Sequence, residues 1–183
     1  MRQIIFSLTA AGLLAACSST PMNAPMSPPF SQAALPAAVQ VPAGHKVALE
    51  TVGAGQITYE CRAKKDMPTA FEWVFVGPDA KLMDRKNTVI GKYYGPPATW
   101  EANDGSKITG VQVAVSPAAA GSIALQLVKA NPAMGNGAMT GVSFIQRVAT
   151  QGGVAPSAAC DAGGVGKKQI VNYQADYIFW APA

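Results

Sequence analysis

The acidic residues Glu101, Asp104, Asp161 and Asp176 are the side chains in this sequence best suited to chemistry. A pair of carboxyl groups at the correct separation can cleave a glycosidic bond. Asp104, however, precedes Gly105 in Asn103-Asp104-Gly105-Ser106. Those residue types favour turns, so the plainer reading makes Asp104 a turn residue and Glu101 a solvated strand residue. Nucleophilic catalysis by serine or cysteine needs an imidazole within hydrogen-bond reach. The single histidine, His45, sits at the end of a Pro- and Ala-rich stretch. Gly141-Val142-Ser143-Phe144-Ile145 breaks the Gly-x-Ser-x-Gly pattern at its last position. Nitrogen- and sulfur-ligated zinc sites lack their residues, so no metal is expected. The run 135–141, GNGAMTG, is one residue too long for a dinucleotide fingerprint and has no helix after it, so no cofactor is expected either. The expectation is a protein that is not an enzyme.

Binding is better supplied. Tyr93, Tyr94 and Trp100, with Pro96 and Pro97 between them, can line a groove for a sugar or peptide, since aromatic faces give apolar contact and phenols a polar handle. The alternative is that these rings fill the core. Arg147 and Asp176 each interrupt a strongly apolar segment. Buried charges are normally paired, which predicts a structural ion pair between them or a carboxylate bonded to backbone.

The elements that must position these residues begin with an export signal. Residues 1–16 carry one charge, Arg2, and an apolar run from Ile4 to Leu14 that is too short to span a bilayer. The run ends in Leu14-Ala15-Ala16-Cys17, which resembles the lipobox of bacterial lipoproteins. That resemblance implies diacylation of Cys17, removal of the preceding peptide and acylation of the new amino terminus. Each buried methylene contributes about 0.8 kcal/mol, so several acyl chains make a lasting anchor. Ser18 stands where an Asp would favour the inner membrane, so the resemblance implies the outer membrane. Residues 17–45 read as the lipidated cysteine plus a Pro/Ala-rich tether, whose composition cannot repay its ordering entropy.

Residues 46–183 are long enough for one sizeable core, so a single β-rich domain is expected. Without Arg2 the chain has 13 basic and 10 acidic residues, a formal charge of +3. The lysines are scattered rather than gathered into a stripe, which excludes a nucleic-acid binder. The expected partners are the membrane, through the lipid anchor, and an envelope protein or glycan. With Cys17 assigned to lipid, Cys61 and Cys160 remain as a pair in an exported protein, and a disulfide is expected.

Hydrophobic alternation marks the strands. Ile57, Tyr59 and Cys61 share one face of 56–61, and Tyr173, Ala175, Tyr177 and Phe179 one face of 170–180. Further strands are expected over 71–76, 82–84, 88–92, 99–102, 107–115, 123–129 and 142–149, with a turn at Gly77-Pro78-Asp79. Asp104-Gly105 is read as a two-residue hairpin turn. That register sets Trp100 across from Thr109, on the face that also carries Val111, Val113 and Val115. Many short strands between Gly and Pro turns predict an all-β fold, an antiparallel sandwich or closed barrel of roughly 8–10 strands. The alternative is a small α+β domain with one short helix in the Ala-rich loops.

The order of motifs carries a resemblance: Gly55-Gln56-Ile57-Thr58-Tyr59-Glu60-Cys61; Trp73 with Gly77-Pro78-Asp79-Ala80-Lys81-Leu82; Gly91 to Trp100 with Asp104-Gly105-Ser106; Ile145-Gln146-Arg147-Val148 with Thr150-Gln151-Gly152-Gly153; and Cys160 with Tyr173-Gln174-Ala175-Asp176-Tyr177. From about Pro42 onward the chain resembles the domain of unknown function 3455 family. The resemblance implies a secreted or envelope-associated domain with its two cysteines paired, and it brings no activity with it. Tyr93 stands where that family commonly has a histidine, and Pro97-Ala98 is extra. A catalytic or metal role for such a histidine is therefore closed to this chain.

Overall fold

The computed structural model describes residues 28–183; the expected signal and Cys17 lie outside the described residues. Eight strands are present: β1 (His45–Lys64), β2 (Met67–Met83), β3 (Val89–Tyr94), β4 (Thr99–Ala102), β5 (Lys107–Ser116), β6 (Leu125–Ala130), β7 (Phe144–Gly152) and β8 (Lys168–Pro182). Each pairs antiparallel with the next, and β8 returns to β1, so the sheet is a closed barrel. Among the described residues helix is confined to 3-10 turns at Ala37–Val39 and Ala162–Gly164, which removes the α+β alternative.

The expected alternation holds in β1 and β8. Ile57, Tyr59 and Cys61, and Tyr173, Ala175, Tyr177 and Phe179, are all buried and, with Leu82, Tyr93, Trp100, Ile108 and Ile145, fill the interior, apart from Cys61, which is bonded at one end. A barrel of eight strands encloses about enough space for its own side chains and little more. Gly53 in β1 makes room for one of them: a Cβ there would overlap Cε2 of the Tyr177 ring.

The turn expected at Gly77-Pro78-Asp79 is absent, because β2 runs straight through it. Thr58 pairs with Gly77 and Tyr59 with Phe75, which leaves Val76 as an extra bulged residue two positions before Pro78. A bulge interrupts the ladder and so tolerates a residue that has no N–H.

The β4–β5 hairpin also differs from expectation. Ala102 N–H donates to Ser106 O at 2.9 Å and Gly105 N–H to Ala102 O at 3.0 Å, so the loop has three residues and Gly105 carries the positive φ of +86°. The longer loop moves the register by one residue, setting Trp100 opposite Ile108 and Thr99 opposite Thr109. A slip of one exchanges the faces of a strand. Accordingly Ile108 is buried, while Val111, Val113 and Val115 are 64%, 55% and 49% exposed.

Residues 28–44, assigned from composition to the tether, lie against the outside of the barrel instead. Val39 and Val41 are buried in a second cluster with Leu127, Val148, Ile178 and Trp180, and Phe30 and Leu35 pack beside them. The burial is made possible by polar ties. Gln146 Nε2 donates to Val39 O at 2.6 Å and to Gln32 Oε1 at 3.0 Å, and Gln146 Oε1 accepts from Trp180 Nε1 at 2.8 Å.

The two ends of the barrel differ. At the end that carries the β4–β5 turn, the β6–β7 connection folds inward and buries Met139 and Val142 in the interior cluster. At the other, the long β1–β2 ribbon is joined to the β7–β8 connection by the Cys61–Cys160 disulfide, with Cα atoms 5.5 Å apart. Trp73 Nε1 donates to Ala158 O at 2.8 Å in the same contact.

Candidate functional site

Strand alternation separates the three aromatic residues expected to line one groove. Tyr93 pairs directly with Trp100, so both rings point inward, stacked with centroids 4.7 Å apart and planes 21° from parallel. Tyr177 meets both, at 4.9 Å and 5.9 Å. Tyr94 points to the outside. Its hydroxyl donates to Glu101 Oε2 at 2.7 Å, and Lys92, 3.3 Å from Glu101 Oε1, lies over its ring. The hydrogen bond from Tyr94, followed by the Lys92 charge, holds the Glu101 carboxyl below its ordinary range, and the same bond raises the Tyr94 phenol.

The expected ion pair between Arg147 and Asp176 does not form. Arg147 pairs across the β7–β8 ladder with Tyr177, and Asp176 with Val148. Residues opposite one another share a face and successive residues alternate, so Arg147 lies inside with Tyr177 and Asp176 lies outside. On the outside Asp176 Oδ2 accepts from Arg85 Nη1 at 3.0 Å, and the same guanidinium reaches Glu50 Oε2 at 3.0 Å. Sequence reading missed Arg85 because it lies in a polar turn, where a charge needs no partner.

The four carboxylates considered for catalysis have separate settings. Glu101 is outside with Tyr94 and Lys92, and Asp176 is outside with Arg85. Asp104 caps its own turn, accepting at Oδ1 from the Ser106 hydroxyl and N–H and at Oδ2 from Ala138 N–H. The Ser106 hydroxyl, then the Ala138 N–H, holds its carboxyl below the ordinary range. Asp161 precedes the short turn Ala162–Gly164 beside the disulfide. His45 bonds Pro42 O through Nδ1 at 3.0 Å and sets its ring edge-on to Phe144. Among the described residues no group of three or more His, Cys, Asp or Glu is arranged to hold a metal.

What the barrel brings together instead is a cavity of about 240 Å³ at the end opposite Met139. Phe75, Gln112 and Gln126 stand at its rim, Pro78 and Pro96 form a wall, Tyr93, Trp100 and Val128 form the buried floor, and Arg147 lines one side. Gln126 Nε2 donates to Gln112 Oε1 at 2.6 Å, which orients the rim amides. Arg147 is anchored by Nε and Nη2, which donate to Ala124 O at 3.2 Å and 2.9 Å. Among the described residues no carboxylate lies within 4.0 Å of it. Trp100 Nε1 is buried and has no hydrogen-bond partner among the described residues.

Four buried phenols feel the charge of this cation. Burial raises the Tyr59, Tyr93, Tyr173 and Tyr177 hydroxyls above their ordinary range, and the charge of Arg147 pulls each of them back toward ionisation. The raised values keep all four protonated at neutral pH. Tyr59 donates to Gly153 O at 2.8 Å, and the Tyr173 and Tyr177 hydroxyls are 3.2 Å apart.

A family model described as Protein of unknown function (DUF3455) matches residues 42–181. The chain belongs to that family. No curated protein and no solved structure matches it. The DUF3455 match starts at Pro42, just after the segment that packs Val39 and Val41 on the outer cluster, and takes in the barrel up to Ala181, one residue short of the end of β8, with its disulfide.

Proposed function

We propose that this protein is a non-catalytic binding domain that takes a small ligand at the cavity end of its barrel and is tethered by lipid at Cys17. The observation carrying the ligand reading is a cavity lined by Arg147, whose guanidinium has no carboxylate within 4.0 Å among the described residues, and by the Trp100 ring, whose buried N–H has no hydrogen-bond partner among them. Native cores pair their polar groups, and an exception calls for an explanation. At about 240 Å³ the cavity falls below the range of about 300–1,000 Å³ usual for larger ligands, which favours a single ring. The separate settings of the four carboxylates support binding without catalysis. Thermal-shift screening of the purified protein against glycans and cell-wall fragments tests the reading. A ligand present at a hundredfold its Kd adds about 2.7 kcal/mol, a readily measured rise in midpoint. A flat response across the panel refutes it.

The anchor rests on Leu14-Ala15-Ala16-Cys17 and the apolar run before it. Cys17→Ala releases the protein from sedimented membranes; unchanged pelleting would mean that something else holds it.

A further inference from the structure

The cavity has a directional chemistry beyond its size. A guanidinium carries five N–H donors in a fixed plane and no acceptor. In Arg147 the Nε–H and one Nη2–H are engaged by Ala124 O, and Nη1 donates to no atom among the described residues. The Nη1–Nη2 edge is thus the face left for a partner, already oriented by the Ala124 anchor. Such an edge matches the two oxygens of a carboxylate, with parallel hydrogen bonds that no single-point cation provides. Nearby, the Trp100 indole is a second donor without an acceptor, and it is 2% exposed. Leaving a buried donor unmade costs about 1–3 kcal/mol, but this atom is closed to solvent, so what Trp100 offers the cavity is the face of its ring.

The free edge of one guanidinium, against floor and walls of aromatic and proline surface, describes a ligand that has one acceptor-rich end and one flat apolar face. We propose that the ligand of this cavity is a small ring bearing a carboxylate, whose two oxygens meet the Nη1–Nη2 edge of Arg147 while the ring lies against the Trp100 and Pro96 side of the cavity. Among the described residues Arg147 is the one cation lining the space. A singly charged carboxylate is therefore neutralised, whereas a doubly charged phosphate would be left with charge uncompensated in a partly buried site. Among the described residues the Gln112–Gln126 pair at the rim still has a free donor on Gln112 and a free acceptor on Gln126, enough to orient a substituent on the ring.

This inference rests on the small-ligand reading above and is tested so that the two can fail separately. Benzoate and glucuronate represent an aromatic and a sugar acid; benzamide and glucose are their neutral counterparts. Titrations of the purified protein are followed by the indole N–H resonances of Trp73, Trp100 and Trp180. Trp73 and Trp180 already donate to Ala158 O and Gln146 Oε1 and serve as internal references. The expected result is binding of at least one acid about tenfold or more tighter than its neutral counterpart. The Trp100 resonance alone moves, and affinity weakens as salt is raised. Arg147→Met removes the preference for the acid. Arg147→Lys, which keeps charge without the fork, retains part of it and serves as the variant should Arg147→Met not fold. Equal affinity for acid and neutral counterpart, or a preference unchanged in either variant, overturns the carboxylate inference and leaves the cavity reading standing. Absence of binding by all four compounds and by the screening panel overturns both. Binding that leaves the Trp100 resonance unmoved places the ligand elsewhere and overturns the assignment to this cavity.

Discussion

Asp104 organises two loops at once. Its Oδ1 holds the β4–β5 turn through Ser106, and its Oδ2 holds the backbone of Ala138 in the β6–β7 connection, next to the Met139 that plugs the barrel. Because folding lowers the Asp104 pKa, its contribution is fully present above the ordinary carboxylate range and is lost as pH falls through the depressed folded value. Asp104→Ala is therefore expected to melt below the wild type at neutral pH. The gap should close as the solution is acidified below the ordinary aspartate pKa, and a gap that does not change with pH would refute the linkage. That Asp104 belongs to a turn was legible from Asn-Asp-Gly; that it reaches a second loop was not, since the two are distant in sequence. Arg147 makes the same point. Its charge in an apolar strand marked it as exceptional, but the choice between Asp176 and the barrel interior depends on which residue of β8 lies opposite.

Strands whose two faces contrast were legible, and those whose faces do not were hard to read. β8 alternates through Tyr173, Ala175, Tyr177 and Phe179, and its inner face was read correctly. β7 was harder, because both its faces are covered: Ile145 points inward, while Gln146 and Val148 lie under residues 28–41. The β4–β5 slip arose from a single loop residue, since Asp-Gly fits both a two-residue turn and the last two positions of a three-residue loop. The segment 28–41 was misread for a different reason. Its composition is that of a linker, but Phe30, Leu35, Val39 and Val41 find an apolar surface already built by β6, β7 and β8. Val39→Asp places a charge at a position with no exposure and removes a burial worth about 1.5–3 kcal/mol. The expected outcome is release of the segment from an intact barrel: hydrogen exchange at residues 39–41 accelerates, and exchange in β1 and β8 does not. Exchange accelerating equally throughout would mean that the segment and the barrel unfold as one.

At the scale of the molecule, the disulfide ties positions 99 residues apart, a strand near the start of the domain to the last long connection. Replacing both cysteines, Cys61→Ala with Cys160→Ala, is expected to cost about 2–5 kcal/mol. For a domain of this size that lowers the melting midpoint by roughly 5–20 °C. Thermal denaturation of the variant, beside the wild type with and without reductant, measures the cost; no loss on either route would contradict a structural role. The closed sheet was one of two architectures open to sequence reading, because the pairing of β1 with β8 joins the far ends of the chain and leaves no local mark. That closure limits how the protein can associate. Every strand has a neighbour on both sides, and pairing is on one side alone only where a strand runs past its neighbour, as residues 67–76 of β2 and 111–116 of β5 run past the short strands β3 and β4, so growth by strand addition is confined to such stretches. Away from those stretches, any macromolecule it recruits has to be gripped by side chains or by loops at the rims.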